Sequence, residues 1–326
     1  MQVAVIGYGY WGRNVARAIV DSDFFCLRTI FDCNFKQVLE AQKIYDFTIY
    51  QSYNDILQDD EIEAVFIVTP PHTHFDLSKK ALESSKHVFV EKPLCTNSLH
   101  AQKLYHLAQE KKRALHCDHI FLYAPPVIWL KQNIDILGNI VYINARRINL
   151  GLFQNSVDVI WDLAIHDLSI IDYLIGLEIK NVEVFARKYQ DYPNNALANI
   201  NLELQNGVIV TISVSWLSPI KIREMIIGGE KKSVIYDETK KDKIILFDSG
   251  VVVRDYFSPA NLYQKMVEYK TGAISNPTLQ GKMALNQSLD AFAFKIKNLT
   301  HVQNILDQKH VMRIIEALEK ISTSKI

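Results

Sequence analysis

Short apolar runs alternate with helical periodicity over the first third of the chain. Residues 2–6 (QVAVI), 27–31 (LRTIF), 64–68 (AVFIV), 87–90 (HVFV) and 114–118 (ALHCD) are near-continuous apolar runs. Helical patterns separate them: NVARAIVDS, residues 34–44, FDLSKKALESS and roughly residues 98–112. Apolar runs of this kind predict strands covered on both faces, and their alternation with helices predicts a doubly wound parallel sheet.

Past residue 122 the rhythm changes. A helical PPVIWLKQNI leads to the strand pattern NIVYINARRINL and then to an apolar helix over residues 159–176. Residues 181–256 are strand-rich, with turn signals at Gln205-Asn206-Gly207 and Gly228-Gly229, and VIVTISVSW (208–216) alternates over part of its length. Alternation indicates a sheet with two unlike faces. Helical patterns return over roughly 283–298 and 303–321, and the least regular stretch, Ser258 to Gly281, reads as a loop over a site or an arm reaching a neighbour. The expectation is an α/β protein in two parts. Residues 1–122 form a doubly wound parallel sheet. Residues 123–326 form an α+β domain on a predominantly antiparallel open sheet.

Composition narrows the function classes. The chain has 326 residues, with 36 Lys plus Arg against 36 Asp plus Glu, so no global field attracts nucleic acid or an anionic membrane. No apolar run approaches the roughly 20 residues of a spanning helix. The sequence opens at once on MQVAVIG with no basic, signal-like segment, and a cytoplasmic location is the expectation. The four cysteines are scattered without a CxxC pair, which suits reduced thiols. His116-Cys117-Asp118-His119 contains metal-ligand types, but alternate side chains of a strand end point to opposite faces, and no metal site is expected there.

Gly7, Gly9 and Gly12 form GxGxxG directly after a strand and at the start of a helix. The first glycine allows the tight turn, the second lets backbone approach a pyrophosphate, and the third lets helix pack on strand. Asp32 ends the second strand about 20 residues further on, where a carboxylate accepts hydrogen bonds from the adenosine ribose and repels a 2′-phosphate. The pattern predicts dinucleotide binding and favours NAD over NADP. A glycine turn in another α/β fold and a simple cap at Asp32 are the plainer alternatives. Arg13 suits either the pyrophosphate or the surface.

Strand ends of an open parallel sheet point into the ligand crevice. Glu91-Lys92-Pro93 falls at such an end, placing a lysine on the nicotinamide side, where it can exchange a proton with a substrate hydroxyl; a solvated turn lysine is the alternative. On the apolar helix, Asp162 and His166 sit one turn apart on one face. A carboxylate and an imidazole there suit either acid–base chemistry or a buried structural pair.

These motifs together, GYGYWGRN near the N-terminus, TPPHTH after the third strand, VEKPL after the fourth and WDLAIHDL mid-chain, resemble the Gfo/Idh/MocA family of glucose–fructose oxidoreductase and inositol dehydrogenase-like enzymes. The resemblance spans nearly the whole chain in order. It implies a Rossmann domain, a second domain with an antiparallel sheet, an active site between them, and NAD(P)-dependent hydride transfer at a secondary hydroxyl or ketone. Lys92, Asp162 and His166 match the family's motif residues. His166 is then the proton acceptor, Lys92 stabilises the alkoxide or shares the relay, and Asp162 orients substrate or imidazole. The implied cofactor contacts are Gly7, Gly9, Tyr10, Trp11, Gly12, Asp32, Thr69, Pro70, His74, Glu91 and Lys92. Two departures stand out: Ala164 replaces the family's usual motif glycine and Ser169 its last acid, a form resembling members that act on sugars and nucleotide sugars, including 3-dehydrogenases and 3-ketoreductases. QKHVMRIIEAL near the C-terminus also lacks a glycine common at that turn.

By the same resemblance, His119 to Pro126 and Ala145 to Phe153 flank the substrate. Phe121 and Tyr123, two apart on an extended segment, face the sugar together or are core together. Arg146, Arg147 and Asn149 are the strand candidates, the two arginines facing opposite ways. Two rival functions remain: an enzyme that holds and recycles its NAD within one cycle, as certain glycosidases do, and a non-catalytic dinucleotide-bound regulator. An uncovered apolar sheet face predicts a homodimer or homotetramer.

Overall fold

The computed structural model describes residues 1–151, 153–253, 267–270, 272–298 and 301–324. The irregular stretch read at 258–281 lies partly outside the described residues. The chain divides into two compact units, residues 1–124 with 281–319, and residues 125–280 with 320–326.

In the first unit the elements run β1 (Gln2–Ile6), α1 (Tyr10–Val20), β2 (Cys26–Phe31), α2 (Phe35–Gln42), α3 (Tyr53–Gln58), β3 (Ile62–Ile67), α4 (His74–Glu83), β4 (His87–Glu91), α5 (Ser98–Glu110) and β5 (Leu115–Asp118). The sheet order is β2-β1-β3-β4-β5, all parallel. The order reverses at β1, so the switch point lies at the carboxyl end of β1, where a doubly wound sheet opens its ligand crevice. The strands read as apolar runs because both faces are covered: Val5, Phe66 and Phe89 on one face and Ala4, Val65 and Val88 on the other are all fully buried.

The second unit carries α6 (Pro125–Asn133), β6 (Ile140–Leu150), α7 (Ile165–Ile175), β7 (Ile179–Lys188), β8 (Asn195–Leu204), β9 (Ile209–Ser215), β10 (Leu217–Gly229), β11 (Ser233–Asp237), β12 (Ile244–Phe247), β13 (Gly250–Val253), β14 (Val267–Lys270) and β15 (Ile274–Ser275). Eight strands form one sheet in the order β15-β12-β11-β10-β6-β9-β8-β7. Of the neighbouring pairs only β6 with β9 is parallel, so the sheet is mixed and mostly antiparallel. One face is apolar and covered: Ile143, Ala145, Ile200, Val210, Ile212 and Ile227 are buried. The other was expected to be apolar and uncovered. Its centre instead carries polar rungs: Thr211 donates to Asn201 (3.1 Å), Ser213 to Asn199 (2.5 Å), and Arg146 pairs with Glu224 (2.8 Å). Apolar side chains such as Tyr142, Phe185 and Ile209 stand exposed around these rungs.

The last two helices, α8 (Ala284–Lys297) and α9 (His301–Thr323), change the division expected at residue 122. Residues 281–319 group with the first unit, not with the second. The reason is packing. Leu285, Leu289 and Phe292 recur at helical spacing and join the core of the parallel sheet. The Phe292 ring lies 5.6 Å from both Phe66 and Phe89 and 5.8 Å from Phe25. Lys295 is buried beside them, donating to the Leu115 carbonyl (2.8 Å) and pairing with Asp307.

Candidate active site

The glycine loop is built by steric necessity. Gly7 has φ +97°, and a Cβ there would meet the Val68 carbonyl oxygen at 2.6 Å. A Cβ on Gly12 would lie 2.2 Å from the Gly7 carbonyl oxygen, so helix α1 packs directly on the turn. Gly9 meets nothing within 4 Å, which leaves its backbone open to a ligand. It is the N-cap of α1, and no side chain caps that helix. An anion is favoured at such an end. Tyr10 is largely exposed beside it.

Asp32 closes the loop from the second strand. Its Oδ2 accepts from the Tyr8 backbone N–H (2.7 Å) and its Oδ1 from Asn34 (2.8 Å). A carboxylate held this way keeps lone pairs for further donors. The open Gly9 backbone, the uncapped helix and the fixed Asp32 fit an adenine dinucleotide with free ribose hydroxyls.

At the strand ends expected to take the nicotinamide, three loops are tied together. The Trp11 indole N–H donates to the Glu91 carboxylate, linking the glycine loop to the Glu-Lys-Pro turn. His74 is fully buried. Its two ring nitrogens lie 2.7 Å from the carbonyl oxygens of Pro93 and Thr69, strapping the loop after β3 to the turn after β4. Thr69 and Thr73 share a 2.6 Å hydroxyl contact, and Thr73 donates to the Pro70 carbonyl. Lys92 therefore rises from a turn braced on both sides, with Pro93 buried behind it.

Glu91 pairs with Asp118 across β4 and β5. Burial and the Asp118 charge raise the Glu91 carboxyl well above the usual range. Burial likewise pushes Asp118 up to about 6, although Ser288 donates to it at 2.7 Å. Two carboxyl groups this close favour sharing a proton. His116 stacks on Phe89 and sits 3.1 Å from the Ser288 hydroxyl, and burial lowers its imidazole to about 3. His119 lies edge-on to His310. Among the described residues no group of three or more His, Cys, Asp or Glu is arranged to hold a metal ion.

The Phe121–Tyr123 segment, read as extended, is a 3₁₀ turn over Ile120–Tyr123. At three residues per turn, positions two apart do not share a face. Tyr123 points its ring toward His116 (5.8 Å), and its carbonyl accepts from Gln287 on α8. The turn ends at Ala124, which is extended ahead of Pro125 as a residue before proline must be.

In the second unit, the helix expected over 159–176 begins as a π turn, Ile160–Ala164, and continues as α7. Asp158 starts it, its Oδ1 accepting from the Ile160 and Trp161 backbone N–H groups. Asp162 lies in the π turn and His166 in the first turn of α7. Asp162 Oδ2 accepts from the Trp216 indole N–H at 3.0 Å. The next acid, Asp167, is bound in a fork by Arg147, Nε to Oδ2 at 3.0 Å and Nη2 to Oδ1 at 2.9 Å. Both partners are almost wholly buried. The two arginines of β6 do face opposite ways: Arg147 turns inward to Asp167, and Arg146 outward to Glu224. Each meets a carboxylate of the protein itself. Asn149 lies beside Gly151 and, with it, close to Trp216.

The reading from sequence did not find Trp216, the His74 strap or the Arg147–Asp167 fork. Trp216 bonds a residue 54 positions earlier, and no local spacing signals that. For His74 the only signal was its place in TPPHTH.

The N-terminal residues 1–119 match the model of an oxidoreductase family with an NAD-binding Rossmann fold, and residues 140–235 match the GFO/IDH/MocA C-terminal domain. The chain is 31% identical over 219 residues to the UDP-N-acetylglucosamine 3-dehydrogenase of Acidithiobacillus ferrooxidans, covering 66% of this chain and 67% of that protein. It is 29% identical over 252 residues to the scyllo-inositol 2-dehydrogenase (NAD(+)) of Bacillus subtilis, covering 71% and 72%. A solved structure of the Acidithiobacillus enzyme superposes with a TM-score of 0.82 at 24% identity, over 100% of this chain and 97% of the other. The chain belongs to the GFO/IDH/MocA family. It is an oxidoreductase with an NAD-binding Rossmann unit and a mixed, mostly antiparallel second unit.

Proposed function

We propose that this enzyme moves a hydride between NAD and a secondary hydroxyl or ketone of a sugar or nucleotide sugar, at the 3-position. The observation that carries the substrate class is the 31% identity to a UDP-N-acetylglucosamine 3-dehydrogenase. Asp32 favours NAD over NADP, since a 2′-phosphate would face its carboxylate. We read the enzyme as cytoplasmic; among the described residues no helix is long and apolar enough to cross a membrane. We also read it as a homodimer or homotetramer joined through the second unit's sheet, which light scattering on the purified chain tests.

Bound nicotinamide supplies the hydride acceptor. In the oxidative direction the carbinol carbon gives up a hydride and its oxygen a proton. His166 accepts that proton, because an imidazole near neutrality is suited to both take and return it. Lys92 donates to the oxygen as charge develops. Asp162 orients the reacting group. Ketone reduction uses the same residues in reverse.

The test is a panel of sugars, UDP-sugars and dTDP-sugars with NAD and NADP, followed by absorbance of the reduced cofactor. Lys92→Ala and His166→Ala are each expected to lower turnover by at least roughly 100-fold, the low end for acid–base groups, with NAD affinity largely kept. Near-normal turnover in both variants refutes the assigned roles.

A further inference from the structure

The segment from Asp158 to Asp167, which carries Asp162 and His166, has three acids, and each has a different partner. Asp158 caps the π turn, and Asp167 is neutralised by the Arg147 fork. Asp162 is bonded by an indole. An indole N–H is a neutral donor, so it directs a carboxylate oxygen while adding no opposing charge of its own.

The surroundings of Trp216 are shaped for this contact. The residue is 1% exposed, and its N–H is the one polar atom of the side chain. Its backbone is clamped, N–H to the Ala196 carbonyl at 2.9 Å and carbonyl to the Gly151 N–H at 3.0 Å. Gly151 lies against the ring: a Cβ there would meet Trp216 Cδ1 at 2.9 Å and Asn149 Nδ2 at 2.9 Å. Phe153 packs on the indole at 5.5 Å, with Tyr192 edge-on to Phe153 at 4.7 Å. The indole is therefore held by backbone and aromatic packing on one side and reaches Asp162 on the other.

We propose that Trp216 is a positioning residue that aims the Asp162 carboxylate for the reaction, with Gly151 supplying the space its ring needs. The inference rests on the reading of Asp162 as a residue that orients the reacting group. Gly151 and Trp216 would then act on turnover through Asp162, touching neither substrate nor cofactor.

Two measurements on the full-length chain with NAD test it. The first needs no substrate. The chain has 4 tryptophans, so indole 15N labelling gives four side-chain N–H signals, with Trp216 assigned by Trp216→Phe or, if that variant does not fold, by replacing the other three singly. Asp162→Asn is expected to shift the Trp216 signal and leave the other three in place; an unmoved Trp216 signal overturns the proposal. The second uses whichever panel sugar nucleotide turns over. Trp216→Phe is expected to lower kcat by about 10-fold or more, the scale of a hydrogen bond to a charged group, with KM within about 3-fold. In the Asp162→Asn background the same change is expected to add less than about 2-fold. Unchanged kcat, or losses that multiply, overturn the proposal. Gly151→Ala is the second variant, expected to displace the indole signal and lower kcat with the fold retained. If no panel sugar turns over with the wild type, the functional reading fails, and the indole signal still decides the contact.

Discussion

Asp32 shows how one side chain does two tasks. Its carboxylate binds the glycine loop through the Tyr8 N–H and its own turn through the Asn34 N–H, and on the proposed reading the same charge would face a ribose 2′-substituent. Asp32→Ser removes the charge and keeps a short hydroxyl. It is expected to move the kcat/KM ratio toward NADP by at least about tenfold, since a unit charge a few ångströms away is worth more than ~1.4 kcal/mol at the dielectric of a protein surface. Steady-state kinetics with both cofactors checks this, and an unchanged ratio removes Asp32 from cofactor choice. The Glu91–Asp118 pair makes a different prediction. An acid whose pKa rises on folding binds more protons folded than unfolded. Its stabilising contribution is thus complete below the ordinary carboxyl range and is lost as pH rises through the folded value. For Asp118 that window runs from the unfolded value of about 4 up to about 6. Asp118→Asn is expected to lose less thermal stability than the wild type between pH values on either side of that window. Equal losses in melting experiments would show that the pair does not share a proton.

Among elements, two contacts pin the helix carrying Asp162 and His166. Trp216 holds the π turn, and Arg147 holds Asp167, the residue next to His166. A buried ion pair is often no more stabilising than an apolar pair of the same size, but breaking one side leaves an uncompensated charge. Arg147→Met alone is expected to destabilise by about 3–5 kcal/mol, and Arg147→Met with Asp167→Leu to recover most of that loss. Urea unfolding of both variants measures it. If the double variant folds stably yet loses activity, the fork sets the rotation of the helix; if it keeps full activity, the fork has no part in presenting His166.

At the scale of the whole molecule, the chain finishes its first unit only after building the second. Phe292, from the C-terminal part of the sequence, fills the parallel-sheet core against Phe25, Phe66 and Phe89. Phe292→Ala is expected to cost about 3–5 kcal/mol, as large-to-small changes in a packed core do, and to lower the melting temperature of the NAD-binding unit. A melting curve unchanged by the substitution would remove α8 from that core.

Local pattern made much of this legible from the amino acids alone. Strand periods, the helix spacings, the glycine turn with Asp32 beyond it, and the Glu-Lys-Pro and Asp-x-x-x-His motifs all act through neighbours a few residues apart. Such relations are written in order along the chain. Others join residues that sequence separates widely. Trp216 meets Asp162, Arg147 meets Asp167, Ser288 meets Asp118, and Phe292 meets Phe66, and none of these pairs has a periodicity to betray it. The sheet order and the packing of α8 brought them together. Sequence determined which side chains have the chemistry; tertiary packing decided which partners hold them, because a hydrogen bond or a ring contact depends on distance in space.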